Sequence, residues 1–132
     1  MLRTLLFIND DLKEHQILRG CLKDIKDDAY LISAFSSADA FGVLTHVQPD
    51  LILLDFDLPG ANAFEILKKI HLLSASKKLP VHILINPVYN SHNDDLLAVG
   101  ANGVHPKPAT SNEYIKIVKE IITDLESIEM SV

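Results

Sequence analysis

The sequence predicts an α/β fold in which a parallel sheet carries helices on both of its faces. Short, continuously apolar runs recur along the chain, and the clearest of them covers residues 51–54. Strands that are buried on both faces have such runs. Between the runs lie segments with apolar residues at three- and four-residue spacing, which is typical of amphipathic helices. The regular alternation of the two patterns indicates five βα units in one sheet.

Five strands are predicted in chain order. They lie around residues 5–8, 30–32, 51–54, 81–85 and 103–105. The second and fifth are the weaker candidates, because their apolar runs are shorter. His82 interrupts the fourth run, and we expect it to pack within the strand rather than to act in catalysis. His105, in the fifth, stands close to the predicted site, and its role is left open.

The helices between the strands have their own start and stop signals. Polar residues three positions apart, which are typical of helix N-termini, precede the second, third and fifth helices. These pairs are Ser36 with Asp39, Asn62 with Glu65, and Thr110 with Glu113. Gly100 suits the C-terminal end of the fourth helix, since glycine readily adopts the left-handed conformation found there.

Composition excludes several classes of protein. The formal net charge is −6, which argues against nucleic acid as a partner because phosphate backbones bind basic patches. The single cysteine, Cys21, cannot form an internal disulfide. No apolar run approaches the roughly 20 residues of a membrane span, and Asn9 and Asp10 end the apolar N-terminus too early for a signal peptide. We expect one cytoplasmic domain, residues 1–132, with no output domain.

Polar residues cluster where the predicted strands end. Asn9 and Asp10 follow the first strand, Asp55 and Asp57 the third, and Lys107 the fifth. Ligands of parallel sheets bind at the carboxyl ends of the strands. If the first and third strands are neighbours, Asp10 and Asp55 therefore meet in one crevice.

The predicted cluster has the chemistry of a phosphoryl-accepting site. Clustered carboxylates repel one another unless a cation joins them, and Mg²⁺ is typically held by one or two carboxylates with water and phosphate oxygens. Lys107, between two prolines, adds a mobile positive charge suited to phosphate. Asp55 could then act as a carboxylate nucleophile. Simpler roles remain open: either Asp10 or Asp11 is expected to cap the first helix, and Asp57 is equally suited to a turn.

Three motifs in this order make the chain resemble the receiver domain of two-component response regulators, the CheY-like family, over almost its whole length. The first is Ile-Asn-Asp-Asp at residues 8–11. The second is Pro-Asp-Leu-Ile-Leu-Leu-Asp-Phe-Asp-Leu-Pro-Gly at residues 49–60. The third is Gly-Ala-Asn at residues 100–102, which leads to Lys107 and Pro108. The resemblance implies a flavodoxin-like (βα)5 fold with the strand order 2-1-3-4-5.

The resemblance also implies roles for the clustered residues. Asp55 would accept a phosphoryl group from a phosphohistidine of a sensor histidine kinase or a phosphotransfer protein. Asp10 and Asp55 would ligate Mg²⁺ or Mn²⁺ directly, and Asp57 would contribute its backbone carbonyl. Asn9 stands where the family usually has a second acid, so its contact with the metal through water would be weaker.

Further implications concern the lysine and the output of the domain. Lys107 would pair with Asp55 or with its phosphoryl group, and the bond between Lys107 and Pro108 would be cis. The domain would signal rather than catalyse, with at most weak autophosphorylation and autodephosphorylation. A downstream protein would bind the face made by the fourth helix, the fifth strand and the fifth helix.

Two departures from the family affect the signal. Ile85 stands where the family has a Ser or Thr whose hydroxyl contacts the phosphoryl group, and Val104 stands where an aromatic residue usually moves on activation. Asn86 is an alternative phosphoryl contact if the register is shifted by one residue. We therefore expect phosphoacceptor chemistry with a non-standard output switch.

Three other functions are alternatives to a phosphoacceptor. The chain could be a pseudo-receiver, a docking module that works without phosphorylation. The Asp-x-Asp of Asp55 and Asp57 resembles the start of haloacid-dehalogenase-type phosphatases, but Pro59 replaces the expected Thr or Val and the chain leaves little room for a cap. Flavin binding is disfavoured, because no phosphate-binding loop follows the first strand and Asn9, Asp10 and Asp11 would repel an anionic cofactor.

Overall fold

Five parallel strands form one sheet in the order β2-β1-β3-β4-β5, in a computed structural model that describes residues 2–26, 28–73 and 79–130. The strands are β1 (Thr4–Ile8), β2 (Tyr30–Ala34), β3 (Leu51–Asp55), β4 (Val81–Ile85) and β5 (Gly103–Pro106). The predicted flavodoxin-like fold and its strand order are confirmed. Every residue of β3 and of β4 is buried, as their continuous apolar runs indicate.

Five α-helices connect and follow the strands. They are α1 (Leu12–Ile25), α2 (Ser37–Leu44), α3 (Ala63–Leu73), α4 (Asn93–Ala98) and α5 (Ser111–Met130). A 3₁₀ helix, Pro87–His92, leads directly into α4. None of the helices within the described ranges is both long enough and apolar enough to cross a membrane.

The predicted helix starts are confirmed by hydrogen bonds from side chains to the first helical turn. Each of the four capping side chains accepts a backbone N–H at 2.9 to 3.2 Å, which satisfies one of the donors left free at a helix N-terminus. The four are Asp11, Ser36, Asn62 and Thr110. Gly100 follows α4 with φ at 111°, a conformation that favours glycine.

The sheet packs helices on two faces that differ in character. The face covered by α2, α3 and α4, here called the α3 face, buries aliphatic side chains of the strands such as Leu6, Ile52 and Leu54. The face covered by α1 and α5, here called the α5 face, buries Phe7 and Tyr114 among others. Full burial of each large apolar side chain stabilises the fold by about 1.5–3 kcal/mol.

Strand register places the functional residues side by side. Ile8 at the end of β1 pairs with Leu54 of β3, so Asn9 and Asp55 follow at the same edge of the sheet. Asp55 in turn pairs with Leu84 of β4. The backbone N–H of Lys107, just after β5, donates to the Ile85 carbonyl at 2.9 Å. The carboxyl ends of four strands therefore meet at one edge, as the parallel sheet requires.

Candidate functional site

A polar cleft of about 510 Å³ opens at the carboxyl edge of the sheet. We call it the acidic cleft, because most of its charged side chains are carboxylates. It is lined by Asn9, Asp10, Asp11, Leu12, Glu14, Asp57, Pro59 and Lys107. The sequence prediction that residues following β1, β3 and β5 share one crevice therefore agrees with the geometry.

Asp55 lies next to the cleft, and its carboxylate contacts two partners. Its side chain is 2% exposed, at the end of β3. The Lys107 ammonium lies 3.0 Å from Oδ2, and the backbone N–H of Asp57 donates to Oδ1 at 3.2 Å. A buried carboxylate without such partners would be costly to keep charged. Lys107 is 32% exposed, so its ammonium can move toward an anion in the cleft while its backbone stays anchored to β4.

The β1–α1 loop separates the roles of Asp10 and Asp11. Asp11 caps α1 by accepting the N–H of Lys13 at 2.9 Å. The Asp10 carboxylate is exposed and makes no hydrogen bond or ion pair within the described residues. Asp10 is therefore the carboxylate of this loop that remains available to a ligand in the cleft.

Asn9 is buried, and among the described residues its side-chain amide has a hydrogen-bond partner at the oxygen but none at the nitrogen. Its Oδ1 accepts the backbone N–H of Asp11 at 2.8 Å, which fixes the turn. Its Nδ2 is buried and has no hydrogen-bond partner among the described residues. A buried amide donor without a partner is costly, so this nitrogen is suited to a water molecule or another acceptor entering the cleft.

His15 supports this loop from below, and sequence reasoning missed it. The ring is fully buried between Phe7 and Phe35, and its Nε2 lies 2.7 Å from the carbonyl oxygen of Asn9. A carbonyl accepts but cannot donate, so Nε2 carries the proton. Burial is the main reason why the pKa of His15 lies below its ordinary value. The sequence pattern does indicate that His15 is buried, because it lies three residues before Leu18 on the apolar stripe of α1.

Tyr114 brings α5 to the rim of the cleft. Its ring is 1% exposed, and its hydroxyl donates to the Glu14 carboxylate at 3.1 Å. Burial raises the pKa of Tyr114 well above its ordinary value, and the charges of Glu14 and Asp55 raise it further. The sequence pattern identified Tyr114 as part of the apolar stripe of α5, which is correct for its ring but says nothing of its hydroxyl.

The two switch positions carry aliphatic side chains in the fold. Ile85 ends β4 and is 2% exposed, and Val104 of β5 packs against the core of the α3 face. Neither can donate a hydrogen bond. Asn86 is exposed and does not line the acidic cleft, because its Oδ1 accepts the Val88 N–H at 3.1 Å and caps the 3₁₀ helix. Asn86 therefore stabilises the start of the 3₁₀ helix that follows β4.

The bond between Lys107 and Pro108 corrects one expectation. No peptide bond of the described residues is cis, so the cis form implied by the resemblance is wrong for this structure. The trans form of an X-Pro bond is favoured by about 0.5–1 kcal/mol. Lys107 makes its ion pair with Asp55 from a trans bond, so the pairing does not depend on the cis form.

His105 lies away from the cleft. Its Nε2 shares a hydrogen bond of 2.9 Å with Nδ1 of His82, and the two rings stack. Burial, and to a smaller extent the neighbouring His105, lowers the pKa of His82 to about 4. His82 is thus a packed, neutral residue of β4, as expected.

The donor set is compatible in kind with Mg²⁺. Within the described part of the chain, no three His, Cys, Asp or Glu side chains are arranged to hold a metal ion by themselves. Mg²⁺ does not require three, because it keeps several waters and takes one or two carboxylates. Asp10, Asp55 and the backbone carbonyl of Asp57 would hold it, with Asn9 reaching it through water. Oδ1 of Asn9 can accept a second hydrogen bond, from such a water, whereas the unsatisfied Nδ2 is a donor and suits an anionic oxygen in the cleft.

Comparison with known proteins is consistent with this geometry. CheY4 of Vibrio cholerae matches with a TM-score of 0.79 at 21% identity over 92% of this chain and 99% of that chain. The phosphorylated cyanobacterial phytochrome response regulator RcpA matches with 0.79 at 21% over 92% and 91%. The Mn²⁺-bound form of response regulator Rcp1 matches with 0.76 at 23% over 90% and 91%. Residues 5–119 match the sequence model of the response regulator receiver domain, and the chain therefore belongs to the receiver domain family of response regulators.

Proposed function

We propose that this receiver domain accepts a phosphoryl group on Asp55, with Mg²⁺ or Mn²⁺, from a histidine kinase or a phosphotransfer protein in the cytoplasm. The observation that carries the proposal is the pairing of buried Asp55 with Lys107 beside a cleft of carboxylates. The ion pair fixes the Asp55 carboxylate at the rim of the cleft, with Lys107 3.0 Å from Oδ2. It also leaves a movable ammonium next to the oxygen that would receive phosphorus.

Each residue has a defined part in the transfer. A carboxylate oxygen of Asp55 forms a bond to phosphorus while the bond between phosphorus and the donor's imidazole nitrogen breaks, and the leaving imidazole keeps that electron pair. Lys107 pairs with the charge of the incoming group, and the Asp57 N–H holds the other carboxylate oxygen in place. A divalent cation, when bound, supplies further neutralisation of the phosphoryl oxygens.

Family membership supports the same role. Receiver domains are signalling domains that interact with histidine kinases or phosphotransfer proteins, and they bind divalent metal ions. The similar fold of phosphorylated RcpA and of Mn²⁺-bound Rcp1 is in line with a phosphoacceptor that uses a divalent cation. The output differs from that of the family, since Ile85 and Val104 supply neither the hydroxyl nor the aromatic ring. The downstream partner is proposed to bind the face of α4, β5 and α5.

Small phosphoryl donors test the proposal. We expect the purified chain, incubated with Mg²⁺ and acetyl phosphate or phosphoramidate, to gain the mass of one phosphoryl group. Asp55→Asn should abolish the gain, because an amide is a poor nucleophile. Asp94→Asn, which changes an exposed acid of α4 outside the cleft, should leave it unchanged. Removal of divalent cations with EDTA should also abolish it.

A chain that gains no phosphoryl group in this assay would favour a docking module that works without phosphorylation. Asn9, Ile85 and Val104 all depart from the family, and these departures are the observation in favour of a pseudo-receiver. If neither the small donors nor a panel of phosphorylated phosphotransfer proteins adds mass to the chain, the phosphoacceptor proposal fails. Turnover of a generic phosphate ester would instead favour the phosphatase reading.

A further inference from the structure

One hydrogen bond joins the acidic cleft to the last helix. Glu14 lines the cleft from the first turn of α1, and its Oε1 accepts the Tyr114 hydroxyl at 3.1 Å. Tyr114 is the largest of the fully buried residues in the described part of the chain. Its ring packs edge-on against Phe7, with the ring centroids 6.2 Å apart. Glu14 and Tyr114 therefore connect the acidic cleft directly with the core between α1 and α5.

Glu14 is the less enclosed of the two partners. Its side chain is half-buried, whereas that of Tyr114 is almost completely enclosed. Glu14 shares the cleft with Asp10, Asp11 and Asp57, so its carboxylate lies in a field of like charges. A cation in the cleft attracts that carboxylate, and a phosphoryl group on Asp55 repels it. Binding of a cation and phosphorylation of Asp55 therefore each change the lowest-energy position of the Glu14 carboxylate.

Tyr114 must respond when Glu14 moves. A buried hydroxyl that loses its acceptor is left unsatisfied, which is costly. The ring can restore the bond only by following the carboxylate, and it is fixed to α5 by its own backbone. The charge of Asp55 reaches this hydroxyl as well, since it contributes to the raised pKa of Tyr114.

We propose that the Glu14–Tyr114 hydrogen bond transmits the occupancy of the acidic cleft to α5, in place of the hydroxyl and the aromatic ring that Ile85 and Val104 do not supply. The inference deepens the proposed function and rests on it, because it takes a cation and a phosphoryl group as the occupants of the cleft. It names α5 as the element that carries the signal and two side chains as its route.

A competing route runs toward α4 through aromatic contacts. Phe56, next to Asp55, stacks on His92 at 5.5 Å and lies 5.9 Å from Tyr89, both in the 3₁₀ helix. These contacts hold no hydrogen bond to a residue of the cleft, so they offer no group that must be satisfied when the charge of the cleft changes. A signal confined to α4 would identify this route instead.

Tyrosine emission gives a direct test. The chain has three tyrosines and no tryptophan, and Tyr30 and Tyr89 are 74% and 40% exposed. In the variant Tyr30→Phe/Tyr89→Phe, emission therefore reports Tyr114. A carboxylate acceptor quenches phenol emission, so we expect saturable changes on addition of Mg²⁺ and then of beryllofluoride, an analogue of the phosphoryl group. Adding Glu14→Gln should raise the initial emission and remove most of the response.

Backbone amide shifts provide the second measurement. In the unchanged chain, Mg²⁺ with beryllofluoride should shift amides of α5 around Ile117 and Val118. Tyr114→Phe removes the hydroxyl and keeps the ring, and it should reduce these shifts at least twofold. The amides of Asp10 and Asp57 should still shift as before, which controls for ligand binding.

The outcomes separate this inference from the proposed function. If the amides of Asp10 and Asp57 do not respond to Mg²⁺ or beryllofluoride, the cleft does not bind them, and the proposed function fails together with this inference. If those amides respond but Tyr114 emission is unchanged, the inference alone is overturned. Shifts in α5 that persist in Tyr114→Phe, or that appear only in α4, overturn it in the same way.

Discussion

The two faces of the sheet bury different kinds of residue. The core of the α3 face consists of aliphatic and small apolar side chains, joined at its margin by a few phenylalanines. In the described part of the chain, the buried polar side chains lie elsewhere: His15 on α1, His82 on β4, and Asn9 and Asp55 at the ends of β1 and β3. The α5 face also buries Tyr114 with its hydroxyl. We infer that the α3 face contributes stability alone, whereas the α5 face also responds to charge and pH.

The largest expected effect is a loss of packing on the α3 face. Leu54 is fully buried there, and Leu54→Ala should lower the free energy of unfolding by about 2–5 kcal/mol through lost apolar burial and a cavity. Urea unfolding at pH 7 and again at pH 5 measures it. The loss should be the same at both values, because no titrating side chain is among the described residues that form this core. Leu72→Ala, at a 73% exposed site, is the control and should change stability by less than about 0.5 kcal/mol.

The α5 face should lose stability as the pH falls. The folded protein keeps His82 neutral with a pKa of about 4, below its ordinary 6.5, so the unfolded chain binds more protons between these values. Stability from this group is therefore complete above pH 6.5 and is lost as the pH falls toward 4, by roughly 3 kcal/mol. Urea unfolding across that range should show a shallower pH slope in His82→Gln.

The control for this measurement is His46→Gln. His46 is exposed, so its removal should leave the pH slope as it is in the unchanged chain. An equal slope in His82→Gln and in the unchanged chain would contradict the assignment. His105 is shifted in the same direction by its own burial, so part of the slope should remain in His82→Gln.

A smaller effect is expected from Gly103, which makes room for the histidine pair. A Cβ at this position would lie 2.6 Å from Nδ1 of His82 and 3.0 Å from Nε2 of His105. Gly103→Ala should therefore cost about 1–3 kcal/mol through overpacking. Gly20→Ala on α1 is the matched control, because its Cβ meets nothing within 4 Å, and it should add up to about 1 kcal/mol of helix stability. If Gly103→Ala and the unchanged chain have equal stabilities in thermal unfolding, the histidine pair can shift enough to accommodate the Cβ.

Much of the fold could be predicted because it depends on local patterns. Continuous apolar runs identified β3 and β4, and polar pairs identified the starts of α2, α3 and α5. The position of Asp55 near Lys107 followed from a property of parallel sheets, whose strand ends meet at one edge. The cis form of the Lys107–Pro108 bond, which only the family resemblance implies, does not occur in this structure.

The contacts that sequence reasoning missed are made by side chains far apart in the chain. Tyr114 and Glu14 are 100 residues apart, and periodicity describes Tyr114 as an apolar residue of α5 without indicating where its hydroxyl lies. His82 and His105 were both noted, but their contact depends on the register that sets Leu84 opposite His105 and His82 opposite Gly103. Such contacts need the geometry of the packed helices and strands.

The ion pair of Asp55 with Lys107 also has a consequence for how the protein is made. The two residues are 52 positions apart, so during synthesis all the carboxylates of the acidic cleft emerge from the ribosome well before the lysine. Until β5 docks beside β4, Asp55 has no ammonium beside it, and ordering the cleft would bring like charges together without compensation. The strand that delivers Lys107 thus completes the charge balance of the acidic cleft in the nascent chain.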